Sequence, residues 1–413
     1  MKHAPAALAI AVLLALPAAA RAALNDTGQT QCYSAAAAAA AACSSAPGQD
    51  GRHGRDAAQA AGQLPAKAGG GEAGFDFTAL DGVGAPASPG SHACVRDNVT
   101  GLVWSAETED NLTWPAAVSA AASYSHCGLH TGWRLPTRRE LLSIVHRGRT
   151  SPAIEPTYFP TVLAGYWSSD HYAPDAANSW YVLSSNGDTN AAHKATPGQA
   201  RFVHGASTAA AFAPTGSGTV ADGATALEWD QCYLGQAAAH CDAAVTAITY
   251  GWQAALVAAA QLNARPGGYK GHTDWRLPNA AELESLVDLT AASGAALDTT
   301  AFPGVSPGGL FWSSTTYLPD PAFAWTVDFN TGATGQAAKT GAQMVRLVRG
   351  GAPFAAFEAQ PAVPPAPPTA TPVPTLGHAA LALLAGLLGA AGFISPQRLP
   401  GKRYQLSKQK QSP

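Results

Sequence analysis

Arg138, Arg139, Arg147 and Arg149, with His146 among them, crowd one short stretch that contains few acids. Residues 139 and 146 are seven apart, so on a helix they share a face. Clustered guanidinium groups of this kind hold sulfate or carboxylate, and a face built from them would contact an anionic polysaccharide. The competing account is a solvated helix face, the usual fate of a charge run. A second candidate is Ser184–Asn190, where Asn186, Asp188 and Asn190 offer oxygen ligands for calcium. Asn-Gly at its centre is equally a hairpin turn, and the turn reading is preferred. Cys127, flanked by His126 and His130, has the elements of a zinc site, but no second half at ligand spacing follows. The twelve histidines are scattered. No Ser/His/Asp order, nucleophile elbow or phosphate loop appears. The expectation is therefore a binding protein, not an enzyme, with no metal and no cofactor.

The elements that must carry these residues are written twice. Trp133 to Leu141 reads WRLPTRREL, and Trp275 to Leu283 reads WRLPNAAEL. All ten tryptophans fall into five matched pairs: Trp104/Trp229, Trp114/Trp252, Trp133/Trp275, Trp167/Trp312 and Trp180/Trp325. From Trp167 onward the spacing between partners stays at 145, as Gly187/Gly332, Lys194/Lys339 and Gly205/Gly350 also show. Such self-similarity means one structural unit used twice. Recurrence at matched positions marks most of the tryptophans as core.

Each unit reads as α+β. Val99 to Trp104 has strand composition. Pro115 to Ser123 and Gln253 to Leu262 predict a first helix. Tyr181 to Lys194 and Trp325 to Lys339 predict hairpins around glycine turns. The repeated motif predicts a strand that stops and a helix that starts. Pro136 and Pro278 keep the preceding residue extended. Thr137 with Glu140, and Asn279 with Glu282, form capping boxes in which each side chain satisfies the other's backbone N–H. Leu141, Ile144 and Val145, like Leu283, Leu286 and Val287, predict a core-facing stripe. Trp133, Arg134, Trp275 and Arg276 complete the motif as structural residues. The arginines of the first unit are Ala280, Ala281 and Leu289 in the second, which predicts that the fold does not need them.

The ends point to export. Ala6 to Ala20 is a short apolar run after Lys2 and His3, and Ala20-Arg21-Ala22 fits a small-x-small cleavage site, so residues 1–22 read as a signal peptide. In an oxidising compartment six cysteines suggest disulfides, and proximity favours Cys32–Cys43, Cys94–Cys127 and Cys232–Cys241 among the pairings open to them. Charged residues make up 12% and the net charge is −3, so nothing suggests nucleic acid. Residues 355–374 form a Pro-rich linker. In 375–413 a Pro-Thr-Leu box precedes an apolar run, Ala379 to Ile394, and a basic tail with Arg398, Lys402 and Arg403. Such a segment would anchor the chain in a membrane with its tail inside. Its layout resembles the bacterial IPTL-CTERM sorting signal, although Gly377-His378 stands where that family has Ser-Glu-Trp.

The order TGLVW, WRLPTRREL, YWSS and RFVHG resembles the Lcl C-terminal domain family, over most of residues 23–351. The family is named from the glycan-binding end of a bacterial collagen-like adhesin. The Arg-Leu-Pro-x-x-x-Glu motif is also similar to one in formylglycine-generating and C-type-lectin-like folds. The resemblance implies two tandem lectin-like modules, 91–206 and 207–354, after a leader at 23–90. It implies an exported surface protein that binds an extracellular glycan, anionic if the basic face is the site. The alternative is a structural envelope protein with a protein partner.

Overall fold

Alternation of apolar and small polar residues gives short strands, and glycine turns fold them into small antiparallel sheets. The computed structural model describes residues 24–350 apart from 35–39, 47, 208, 237–240, 242–247, 292–293 and 305–308. The signal peptide, the Pro-rich linker and the anchor predicted for 375–413 lie outside the described residues. Among the described residues no helix is long and apolar enough to cross a membrane.

Module one has two five-stranded sheets. The first runs Phe77–Leu80, Cys94–Asp97, Val103–Ser105, Val203–His204, Trp133–Arg134. The second runs Thr189–His193, Asn178–Leu183, Gly165–His171, Gly198–Ala200, Glu109–Leu112. Module two repeats the plan. Phe212–Pro214, Thr219–Asp222, Leu227–Asp230 and Val348–Gly350 form one sheet, and Leu310–Thr316, Phe323–Asp328 and Thr334–Ala338 another. The architecture is α+β, with helices at Trp114–Ser123 and Arg138–Ser143 and their counterparts Trp252–Asn263 and Ala280–Glu284. Phe77–Leu80 pairs with Cys94–Asp97. The leader expected to reach residue 90 thus supplies the first strand of module one.

The tryptophans do the same work in both copies. Trp167 Nε1 donates to Leu112 O, and Trp312 Nε1 to Tyr250 O. Trp114 Nε1 donates to Ser168 O, and Trp252 Nε1 to Ser313 O. Nine of the ten are buried; Trp114 is the exception. Two buried arginines missed in the sequence add to this frame. Arg201 donates to Ser105 O and Ala106 O, and its match Arg346 to Asp230 O and Gln231 O. Each replaces sheet hydrogen bonds where the chain turns out of a strand, which is why a charge can be buried there.

Both capping boxes form. The motif arginine explains the rest of the repeat. Arg134 grips both oxygens of Glu140 at 2.6 and 2.7 Å and donates to Gly205 O, tying the helix start to the residue just after the closing strand. Arg276 does the same with Glu282, at 2.6 Å for each bond, and Gly350 O. The helices are shorter than the apolar stripe suggested, ending at Ser143 and Glu284, but Leu141, Ile144, Val145, Leu283 and Leu286 are buried.

All three disulfides are as proximity suggested: Cys32–Cys43, Cys94–Cys127 and Cys232–Cys241. The first closes a loop of the leader, which runs across both modules. Asn25 bonds Asp97 in module one, and Gln29 bonds Thr316 in module two.

Candidate functional site

The basic face is not on the surface. Arg138 is 1% exposed and Arg147 2%, and His146 is buried beside them. The two arginines point across the boundary into module two, while His146 packs on Phe75 beside Glu72. Arg138 donates to Gly332 O at 2.6 Å and pairs with Glu284 at 3.0 Å, while its guanidinium lies 4.7 Å above the Trp180 ring. Arg147 stacks 4.9 Å from the Trp325 ring, within the field of Glu284, Asp50 and Asp188. Arg139 donates to Ser285 O. Arg149 remains half-exposed and pairs with Glu72 at 2.6 Å. The reading of these residues as one exposed polyanion-binding face is therefore corrected: Arg138 and Arg147 are buried at the module boundary, Arg139 is partly buried, and Arg149 keeps a surface pair with Glu72. So is the inference from Ala280 and Leu289. Those residues show what one side of an asymmetric contact tolerates, not what the other side can lose.

The Ser184–Asn190 segment forms the hairpin turn between the strands Asn178–Leu183 and Thr189–His193, as the turn reading expected. Asn186 Nδ2 donates to Asp188 Oδ2 at 2.6 Å and to the Tyr317 hydroxyl at 3.1 Å, so the turn also faces module two. No group of three or more His, Cys, Asp or Glu is placed to hold a metal among the described residues.

A cleft of about 320 Å³ opens elsewhere on module one, beside the strand Gly165–His171. Its floor is the half-buried Tyr181 ring, with Trp167, 2% exposed, packed behind it. Trp167 and Tyr181 meet edge to face with centroids 6.1 Å apart. Two glycines let the rings lie this close to the backbone. A Cβ on Gly198 would come within 2.7 Å of Trp167 Nε1, and one on Gly165 within 2.7 Å of the Tyr181 ring. Asn111, Thr196 and Gln199 add neutral hydrogen-bonding groups to the wall. Apart from the Tyr181 phenol, nothing in the lining ionises. An uncharged wall over aromatic rings suits the apolar face and hydroxyl edge of a sugar. It offers no acid or base for hydrolysis.

Among the described residues of module two the matched place is filled. Met344 stands where Gln199 stands; it is buried and lies against Gly309, the counterpart of Ala164. Thr326 replaces Tyr181, and Leu310 replaces Gly165. Sequence reasoning missed the cleft because it looked for charge. The signal was present as a difference between copies at positions 165, 181 and 199.

The profile of the Lcl C-terminal domain matches residues 93–204 and again 218–349. The chain belongs to the Lcl C-terminal domain family. The two matches fall on the two modules, and the cleft lies within the first domain of this Lcl pair. The IPTL-CTERM motif matches residues 371–399, a C-terminal sorting signal consistent with an exported, cell-surface protein. No curated protein matches the chain.

Proposed function

We propose that this is an exported, surface-associated binding protein whose first Lcl domain takes a neutral face of an extracellular glycan. The observation that carries the reading is the cleft over Trp167 and Tyr181, walled by Asn111, Thr196 and Gln199. Its volume, about 320 Å³, suits one or two sugar rings. The sorting motif supports display at the cell surface, with the tail retained or removed there. A lectin-like role, without catalysis, accords with a lining that carries no carboxylate or histidine. The burial of Arg138 and Arg147 moves the preference from anionic to neutral sugars.

A glycan array probed with the full chain tests this. Binding should persist in high salt, because few counterions are released when no charge is paired. Gln199→Met installs the side chain that fills the corresponding place in module two, and it should abolish binding while the protein stays folded. No glycan bound by the wild type, or equal binding by Gln199→Met, would sink the reading.

A further inference from the structure

The chain has two copies of one groove and a single leader to cover them. On module two the leader lies along the groove. The Gln29 side chain accepts from Thr316 N at 2.8 Å and donates to Thr316 O at 2.9 Å, satisfying both main-chain groups. Asp50 accepts from the Thr315 hydroxyl at 2.6 Å. Tyr33 packs by Lys339, whose ammonium sits 4.0 Å above the Trp252 ring. Gly48 lies over Leu256. Trp252, Leu256, Thr315, Thr316 and Lys339 are all buried as a result.

The matched residues of module one are Trp114, Val118, Asp170, His171 and Lys194. The frame beneath is the same. Trp114 N bonds Lys194 O as Trp252 N bonds Lys339 O. Lys194 sits 5.0 Å over the Trp114 ring, and His171 packs on that ring with centroids 5.0 Å apart. Here, however, nothing among the described residues takes the place of Gln29, and the groove is open. Val118 is 39% exposed where Leu256 is 4%. His171 is exposed where Thr316 is buried.

One change decides what fits. Asp170 replaces Thr315, and each accepts from the first backbone N–H of the short helix that begins in the repeated motif: Asp170 Oδ2 from Arg138 N, Thr315 Oγ1 from Ala280 N. A leader laid on module one would press the Asp50 carboxylate against the Asp170 carboxylate at hydrogen-bond distance. Two carboxylates so close cannot both stay ionised. The leader of a second copy would therefore have to bring Asp50 protonated, a cost that an uncharged side chain at that position does not carry. An amide at that position would instead donate to Asp170.

We propose that the groove on module one docks an extended peptide segment of a partner protein, held as the leader is held on module two but with an amide or other uncharged donor facing Asp170. The main-chain groups of His171 receive a Gln- or Asn-type side chain, and the Lys194–Trp114–Val118 surface receives an aromatic or small apolar residue. This site is separate from the cleft over Trp167.

The probe is the synthetic segment of residues 25–53, closed by its Cys32–Cys43 bond, with Asp50→Asn, titrated calorimetrically into the full chain. It should bind one to one, at least tenfold more tightly than the same peptide with Asp50. Val118→Arg in the protein should weaken binding tenfold or more. Gln199→Met should leave it unchanged, so failure of the glycan reading and failure of this one are told apart. The proposal is overturned by no saturable binding, or by equal affinity of the two peptides, which would make a second copy the occupant. It is overturned also by indifference to Val118→Arg, which would mean that the peptide displaces the resident leader. Loss of binding in Gln199→Met would place the peptide in the cleft instead.

Discussion

Thr189 and Thr334 hold the same place in their modules, 145 residues apart, and their hydroxyls meet at 2.7 Å in the buried boundary. A residue that touches its own counterpart lies on the two-fold axis of a pair. The duplication has therefore built an internal pseudo-dimer, and residues near this axis face the other module rather than solvent. That placement accounts for Arg138, Arg147 and Asn186, each of which looked like a surface residue in sequence.

Arg138 is the sharpest test of the boundary. Arg138→Ala would leave Glu284 buried without its ion-pair partner, and removing one partner of a buried pair costs about 3–5 kcal/mol. The double variant with Glu284→Leu, the residue at the matched position 142, should recover much of the loss. Thermal unfolding of the four proteins in a double-mutant cycle measures it. A loss below about 1 kcal/mol for Arg138→Ala, typical of exposed pairs, would return the arginine to the surface.

Much of the module was legible because its signals are local. The capping boxes, the hairpin turns and the paired tryptophans follow from neighbours in sequence, and the structure bears them out. What failed was the step from unmatched residues to function. Arg138 and Arg147 have no counterparts in module two, and that asymmetry was read as a ligand site. Periodicity places residues on a helix face but does not say what the face meets. The interface lies between segments some 146 residues apart, as Arg138 and Glu284 are, and no local pattern records it. The same kind of asymmetry at Gln199/Met344 and Asp170/Thr315 marks the cleft and the groove.

The two Arg–Glu clamps should differ in worth. The Arg276 and Glu282 side chains are 9% and 0% exposed; those of Arg134 and Glu140 are 31% and 8%. Arg276→Ala leaves a buried carboxylate and should cost about 3–5 kcal/mol. Arg134→Ala, partly screened by water, should cost about 1 kcal/mol. Thr137→Ala, which removes an N-cap oxygen, should also cost about 1 kcal/mol. Denaturant midpoints rank the three. Equal losses at Arg134 and Arg276 would contradict the burial difference.

The Cys32–Cys43 bond should govern the leader more than the modules. It closes a loop across an 11-residue separation, worth on the order of 3 kcal/mol to the closed form. The double replacement Cys32→Ser with Cys43→Ser should loosen Gln29 from Thr316 while both module cores persist. Hydrogen exchange at the Thr316 amide should accelerate, with exchange at Val203 and Val348 unchanged. Unchanged protection at Thr316 would show that the leader holds without its staple.

Leader docking should also carry a pH signature centred on Asp50. Burial raises its carboxyl from the ordinary 3.8 to about 7, outweighing the hydrogen bonds from Thr315 and Thr27, with Asp26 and Glu282 adding repulsion. Asp26 and Asp97 are likewise pushed up to about 6 by burial. A carboxyl whose folded value is raised binds its proton more tightly when folded. Its stabilising contribution is complete below the unfolded value near 4 and is lost as pH rises through the folded value. His53 and His146, held down to about 3 and 4 by burial, act the other way: they favour the fold when neutral and oppose it as pH falls below the ordinary histidine value of 6.5. The wild-type curve mixes these effects, so the difference between proteins is the clean measurement. Asp50→Asn keeps an oxygen for Thr27 and Thr315 but cannot ionise. Its stability relative to the wild type, read from melting temperatures, should be level near pH 4 and climb steadily as pH rises toward the folded value. The climb should amount to about 1.4 kcal/mol for each pH unit crossed. A difference that stays flat across that range would mean that Asp50 is ionised and well paired throughout, and the leader would then be held by charge rather than in spite of it.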